Sequence, residues 1–318
     1  MTGLALQIVP TMSVSELVDT VVAAEDLGYE WCQVADEGLM ADVYVALGAA
    51  ATATSRIRLG PATNGYTRHP AATAAALATL DDLSGGRAFV TLVAGGTMVL
   101  SPMGIPRSMP GTVLLETIEI LRLLWGGEQV SWQGRSFVLD SAQLHVPAGD
   151  IPIFVAARGE RLLEAAGRLA DGIVLMAKAD LADALAVVDE AAGDRPFTRV
   201  YLDRLAFTDS MLEEAKTLYT YAVLDSPDRM LANLGLDDLA IKRLRNAVAA
   251  GGPSAAVPLI TDDMVAAYQI SGPPERCRSE LEALMESHHM DMFMMNVISP
   301  GFDANVEMLT EVRSIVRP

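Results

Sequence analysis

Asp36 and Glu37 stand side by side where an apolar run over residues 30–36 gives way to polar chain. Two adjacent carboxylates at such a rim suit a proton transfer, because crowding raises the pKa of one of them. Otherwise one caps the next helix and the other is solvated. A second group, Gly60, Pro61, Asn64 and Gly65, packs turn-forming residues into six positions and suits a bend or bulge. With so little side-chain bulk, a flat ligand could lie against that backbone, or the place is a tight turn and nothing more. Arg68 and His69 precede Pro70, near a helix start, where they could meet an anion or a neighbouring carboxylate. Gly95-Gly96 is equally bare. Ala157-Arg158-Gly159 runs straight into a helical pattern from Glu160. Free N–H groups at a helix start, with the Arg158 guanidinium, make a good phosphate site; the competing reading pairs Arg158 with Glu160 or Glu164.

Other chemistries find little footing. Met285, Met290, Met292, Met294 and Met295 cluster late in the chain, where flexible thioethers serve as core filler. His288 and His289 lack partners at ligand spacing, so no metal site is expected. There is no Gly-x-Ser-x-Gly elbow, no Walker loop and no Gly-x-Gly-x-x-Gly turn.

The elements that must position these residues alternate. Strand-like runs at 4–10, 30–36, 57–63, 88–95, 151–157, 172–176, 199–207 and 290–297 are separated by helical patterns at 13–28, 43–54, 70–83, 113–125, 160–169, 181–192 and 274–286, with a closing helix at 304–316. Eight parallel strands with crossover helices close into an α/β (β/α)8 TIM barrel. Two insertions interrupt the rhythm: a hairpin around Gln133-Gly134 within about 128–150, and a polar helical stretch at 211–250 ended by Gly251-Gly252-Pro253, within about 211–262. The whole chain, 1–318, reads as one domain. Barrel chemistry sits where strands end, which selects 8–12, 35–42, 61–70, 94–102, 156–160, 175–178, 207–210 and 297–302; Met176 falls in the sixth.

Composition bounds the function. With 51% hydrophobic residues the chain folds. A net charge of −18 argues against nucleic acid or an anionic membrane surface as partner, leaving a small-molecule substrate. Cys32 and Cys277 read as reduced, packed thiols, and no signal peptide or spanning run is visible, so the expected location is cytoplasmic.

Asp42-Val43-Tyr44, Ser55-Arg-Ile-Arg-Leu-Gly60, Tyr66-Thr-Arg-His-Pro70, Leu80-Asp-Asp-Leu-Ser-Gly-Gly-Arg87 and Ala170-Asp-Gly-Ile-Val174 resemble the bacterial luciferase-like superfamily over nearly the whole chain. Within it they are most similar to methylenetetrahydromethanopterin reductases and relatives that use the deazaflavin coenzyme F420. The resemblance implies a TIM barrel, usually dimeric, with an insertion after the seventh strand. It implies a cofactor ring against a third-strand bulge with a non-prolyl cis peptide, matched by Pro61, Ala62, Thr63 and Asn64 but one residue shorter. It places the cofactor phosphate at Gly95, Gly96, Ala157, Arg158 and Gly159, Met176 beside the cofactor, and Gln7 and Arg68 toward the substrate. Asp36 would touch the ring's polar edge or deliver a proton, with Glu37 as alternative acid/base. This chain departs from the pattern twice. Glu37 stands where many relatives carry histidine. Gln7, which cannot be a general acid, stands where the reductase has glutamate. The expected activity is hydride transfer between F420 and a small organic substrate. FMN-dependent monooxygenation and a non-catalytic flavin-binding barrel are the alternatives. Arg68, His69 and Arg107 would receive the deazaflavin's anionic tail.

Overall fold

The computed structural model describes residues 3–224, 226, 228–298 and 301–317. Strands β1 (Gly3–Ile8), β2 (Trp31–Ala35), β3 (Arg58–Thr63), β4 (Val90–Val93), β7 (Ile153–Ala156), β8 (Gly172–Leu175), β9 (Thr198–Asp203) and β10 (Met292–Val297) close in the order β1-β10-β9-β8-β7-β4-β3-β2. All eight pairings are parallel, so the expected (β/α)8 barrel is what forms. The inserted hairpin is β5 (Val130–Gln133) against β6 (Val138–Ala142).

Helices α1 (Val14–Asp26), α2 (Val43–Ala53), α3 (Pro70–Ser84), α5 (Pro110–Trp125), α6 (Glu160–Leu169), α7 (Leu181–Ala192), α12 (Pro274–Ser287) and α13 (Phe302–Val316) follow the strands, with a short turn of helix, α4 (Thr97–Leu100), before α5. Their starts follow from local chemistry. Ser13 and Glu16 form a reciprocal capping box on α1, Asp42 Oδ1 accepts from Tyr44 and Val45 N–H at α2, and Pro70 opens α3. Arg87 then ties strands to helices: it donates to the carbonyls of Ala51, Thr54, Ile57 and Ser84.

The barrel interior is plugged at its lower end by Ala5, Phe89, Phe154, Val174, Val200, Met292 and Met294, with Trp31 packed on Phe89 and Phe154 at 5.0 and 4.9 Å between ring centroids. Met292 and Met294 are therefore packing groups. A larger apolar shell separates barrel from helices and takes in Cys32 and Cys277, both buried and unpaired.

Two expectations need correction. The stretch at 211–250 is not one run ended by glycines. It divides into α8 (Asp209–Leu224), α9 (Asp228–Asn233) and α10 (Asp238–Ala256), followed by α11 (Asp262–Ala266). α10 passes through Gly251-Gly252 with a kink, because Gly252 adopts φ +73° and Pro253 opens the second piece. These helices share a small core of their own around Val223, Met230, Leu244, Met264 and Tyr268. The second correction concerns β3, which shows no register shift against β2. Instead its pairing with β4 lapses at Gly60-Pro61, between Leu59↔Ala88 and Ala62↔Thr91. Pro61 has no N–H, and Gly60 lies so near β4 that a Cβ there would stand 2.2 Å from the Phe89 carbonyl oxygen. Among the described residues no peptide is cis. Ser299 and Pro300 of the last rim segment lie outside the described residues. No helix among the described residues is long and apolar enough to cross a membrane.

Candidate functional site

Two cavities open at the C-terminal ends of the strands. One, of about 480 Å³, is lined by Gly95, Gly96, Arg107, Ala157, Arg158, Gly159 and Ser226. The other, of about 400 Å³, is lined by Gln7, Gln33, Asp36, Glu37, Ala62, Asn64 and Asn296. Val93, Gly96, Ala156, Arg158, Val174 and Met176 border both, so they form one trough across the barrel mouth.

At one end sit the carboxylates. Asp36 is held from three sides: Oδ2 accepts from the Thr63 and Thr67 hydroxyls at 2.7 and 3.2 Å, and Oδ1 from the Gly38 N–H at 3.2 Å. These three donors fix the orientation of the carboxylate. The Glu37 carboxylate has no hydrogen-bond partner among the described residues, and burial, reinforced by the Asp36 charge, raises its pKa. One carboxylate is thus anchored and its neighbour is inclined to keep a proton. Below them Gln7 Nε2 donates to Asn296 Oδ1 at 3.1 Å, Gln33 Nε2 donates to Gln7 Oε1 at 2.5 Å, and the Thr91 hydroxyl donates to Gln33 Oε1.

The other end holds two arginines and the start of α6. α6 begins at Gly159, which supplies no side-chain cap, and a Cβ added there would meet nothing within 4 Å. The helix dipole places partial positive charge at that uncapped start. Arg107 is anchored by donating to the Gly95 carbonyl at 2.6 Å. Arg158 pairs with neither Glu160 nor Glu164; the latter binds Arg168. It reaches instead to the insertion, donating from Nη1 to the Ala222 carbonyl at 2.8 Å and the Ser226 hydroxyl at 3.3 Å. Ser226 in turn bonds the Tyr268 hydroxyl.

The site residues expected from sequence fall into two groups. Gln7, Asp36, Glu37, Ala62, Asn64, Gly95, Gly96, Ala157, Arg158, Gly159 and Met176 all line the trough. Thr63 is fully buried behind Asp36, and Arg68 lies outside the lining, its guanidinium 4.3 Å from the centre of the Tyr44 ring. His69 Nδ1 accepts from the Ala71 N–H and caps α3. Asn64 presents its carboxamide to its own turn, accepting from the Tyr66 and Thr67 N–H groups. Gln33, Thr91 and Asn296 were not singled out in the sequence. Only the alternation of inward positions on adjacent strands could have found them.

A trough with arginines and a helix start at one end and a carboxylate pair at the other, over a barrel floor, suits a long ligand with a phosphate and a flat polar head. The family model for luciferase-like monooxygenases matches residues 2–290. The chain belongs to the luciferase-like monooxygenase family. Among family members it is 27% identical to a 5,10-methylenetetrahydromethanopterin reductase from Methanopyrus kandleri, covering 96% of this chain and 95% of that one. It is 29% identical to the reductase of the same name from Methanolobus tindarius, covering 96% and 97%. The solved structure of the coenzyme F420-dependent tetrahydromethanopterin reductase from Methanopyrus kandleri superposes with a TM-score of 0.87 at 25% identity, covering 99% of this chain and 98% of that one.

Proposed function

We propose that this luciferase-like protein is an oxidoreductase that uses coenzyme F420 to move a hydride to or from a small organic substrate. The observation that carries the reading is the continuous trough joining the bare start of α6 to Asp36-Glu37. Its residues fit the cofactor. Gly95, Gly96, Arg107, Ala157, Arg158 and Gly159 would hold its phosphate and the start of its anionic tail. Ala62, Asn64, Val93 and Met176 would border its ring. Of the three cations expected at the tail, Arg107 borders the trough, while Arg68 and His69 are engaged with Tyr44 and the α3 cap. When bound, F420 supplies a two-electron hydride donor or acceptor that reacts poorly with oxygen.

The protein supplies the rest. Asp36, fixed by three donors, orients the ring's polar edge. Glu37 gives a proton to the substrate atom that becomes basic as the hydride arrives, and takes it back in the reverse direction. The apolar plug closes the barrel beneath. The substrate then enters over Gln7 and Asn296. We place the protein in the cytoplasm, in keeping with its two unpaired buried thiols. We also propose a homodimer. Its support is the exposed apolar group Leu39, Met40 and Val45 at the start of α2, with Leu83 exposed on neighbouring α3; light scattering tests it.

Anaerobic incubation with reduced F420 and a panel of carbonyl and methylene-transfer substrates tests the activity. Re-oxidation of the deazaflavin that depends on both protein and substrate is the expected result. Turnover only with reduced FMN, with oxygen consumed, would make the protein a monooxygenase. No turnover with either would leave a cofactor-binding barrel.

A further inference from the structure

Directly above the apolar plug, one layer of the barrel is polar. Asn296, Gln7 and Gln33 are registered neighbours on β10, β1 and β2, and Gly60, the next partner on β3, contributes no side chain. Gln33 therefore reaches past β3 to Thr91 on β4. The relay runs in one sense from its enclosed end. Thr91 and Gln33 are 0 and 1% exposed, and the Thr91 hydroxyl hydrogen takes Gln33 Oε1 as its acceptor. Gln33 must then offer its NH2 to Gln7 Oε1, and Gln7 its NH2 to Asn296 Oδ1. The relay ends at Asn296 with the carbonyl used and Nδ2 making no bond to the described residues. Asn296 borders the cavity that holds Asp36 and Glu37.

We propose that the Asn296 amide N–H is the hydrogen-bond donor for the oxygen of a carbonyl substrate, or of the alcohol in the reverse reaction. Resting on the oxidoreductase reading above, this names its substrate class. A donor whose carbonyl is already bound cannot turn over to become an acceptor, so it selects oxygen lone pairs. When the hydride bonds to the carbonyl carbon, the C=O π pair moves to oxygen, and a preoriented N–H stabilises the charge gathering there. The proton on Glu37 completes the hydroxyl, the deazaflavin is oxidised by two electrons, and Glu37 is reprotonated from water. Gln7, Gln33 and Thr91 are positioning residues that hold Asn296 in the donor sense.

The test uses cyclohexanone as probe. Titrated into the F420-saturated protein, it should shift the Asn296 side-chain amide resonance, identified by its absence from Asn296→Asp. Asn296→Asp and Asn296→Leu should lower kcat/KM for cyclohexanone roughly a hundredfold, while F420 affinity stays within about threefold. Asn296→Ser, which keeps a donor, should recover part of that loss. Thr91→Val, which frees the relay to reverse, should raise KM more than it lowers kcat. An unshifted resonance, or unchanged kcat/KM in Asn296→Asp, would overturn the proposal. Failure of the cofactor reading is seen separately, as absence of F420 binding. The same amide shift in cofactor-free protein would still uphold the role of Asn296.

Discussion

At the scale of single residues, the contrast between Asp36 and Glu37 decides the chemistry. Burial and the Asp36 charge hold Glu37 protonated to higher pH than an ordinary carboxyl group. The sign follows directly: reduction of substrate needs the protonated form, so its rate should fall as pH rises through that raised pKa. Oxidation, which needs the ionised form, should rise over the same interval. Glu37→Gln should lower kcat by roughly a hundredfold and remove that pH dependence, as general acids typically contribute 10²–10⁴-fold. A pH–rate profile of both proteins checks this. Asp36→Asn keeps one acceptor oxygen for Thr63 or Thr67 and loses the charge. Turnover should drop more than tenfold while the thermal midpoint hardly moves. The carboxylate pair was legible in the sequence because two acids ended an apolar run. The amide relay was not, since Gln7 and Asn296 lie 289 positions apart and glutamines on strands carry no signature of their own. The Arg68 guanidinium faces the Tyr44 ring, a contact between the β3–α3 loop and α2 that sequence spacing does not show.

At the scale of elements, the phrases that carry the family resemblance are mostly joints. Arg87, from the Leu80–Arg87 phrase, gathers carbonyls from the end of α2, the end of α3 and the entry to β3. Asp171 accepts from the Ile153 N–H at 2.7 Å and is paired with Arg122. Glu25 receives the N–H groups of Ser55, Arg56 and Ile57 at 3.1, 2.6 and 2.8 Å; burial opposes its ionisation, but those donors outweigh it and its pKa is lowered. Such residues mark the fold strongly and the substrate weakly, which is why the barrel was readable and the substrate was not. Arg87→Ala orphans several carbonyls at once and should cost about 2–4 kcal/mol in urea unfolding, without altering cofactor affinity once folded. For Glu25 the sign is that of a depressed carboxylate. Its contribution is present above the ordinary carboxylate range and lost as pH falls through its lowered pKa. Glu25→Gln should therefore lose stability at neutral pH and converge with the parent in acid.

At the scale of the whole molecule, several bonds fasten the α8–α11 insertion to the barrel, Arg204 with Glu214 among them, and two further seams bear on the site; neither could be read from local sequence. One is Arg158 with Ala222 and Ser226. The other is Asp203 at the end of β9, wholly buried, where Oδ2 accepts from the Ile270 N–H at 2.8 Å and the Tyr201 hydroxyl at 2.9 Å. Burial raises Asp203 to about 6. The folded state then binds its proton more tightly than the unfolded chain, so this group favours folding in acid, and that contribution is lost as pH rises from about 4 to about 6. Because Arg158 lies in the seam and in the trough, cofactor binding and docking of the insertion share one side chain. Equilibrium titration of the purified protein with F420 and FMN in parallel, repeated on Arg158→Ala, tests the account most directly. Tighter binding of F420 than FMN, weakened roughly ten- to a hundredfold by Arg158→Ala, is the expected result. FMN binding as tightly as F420, or an Arg158→Ala affinity equal to that of the parent, would contradict it.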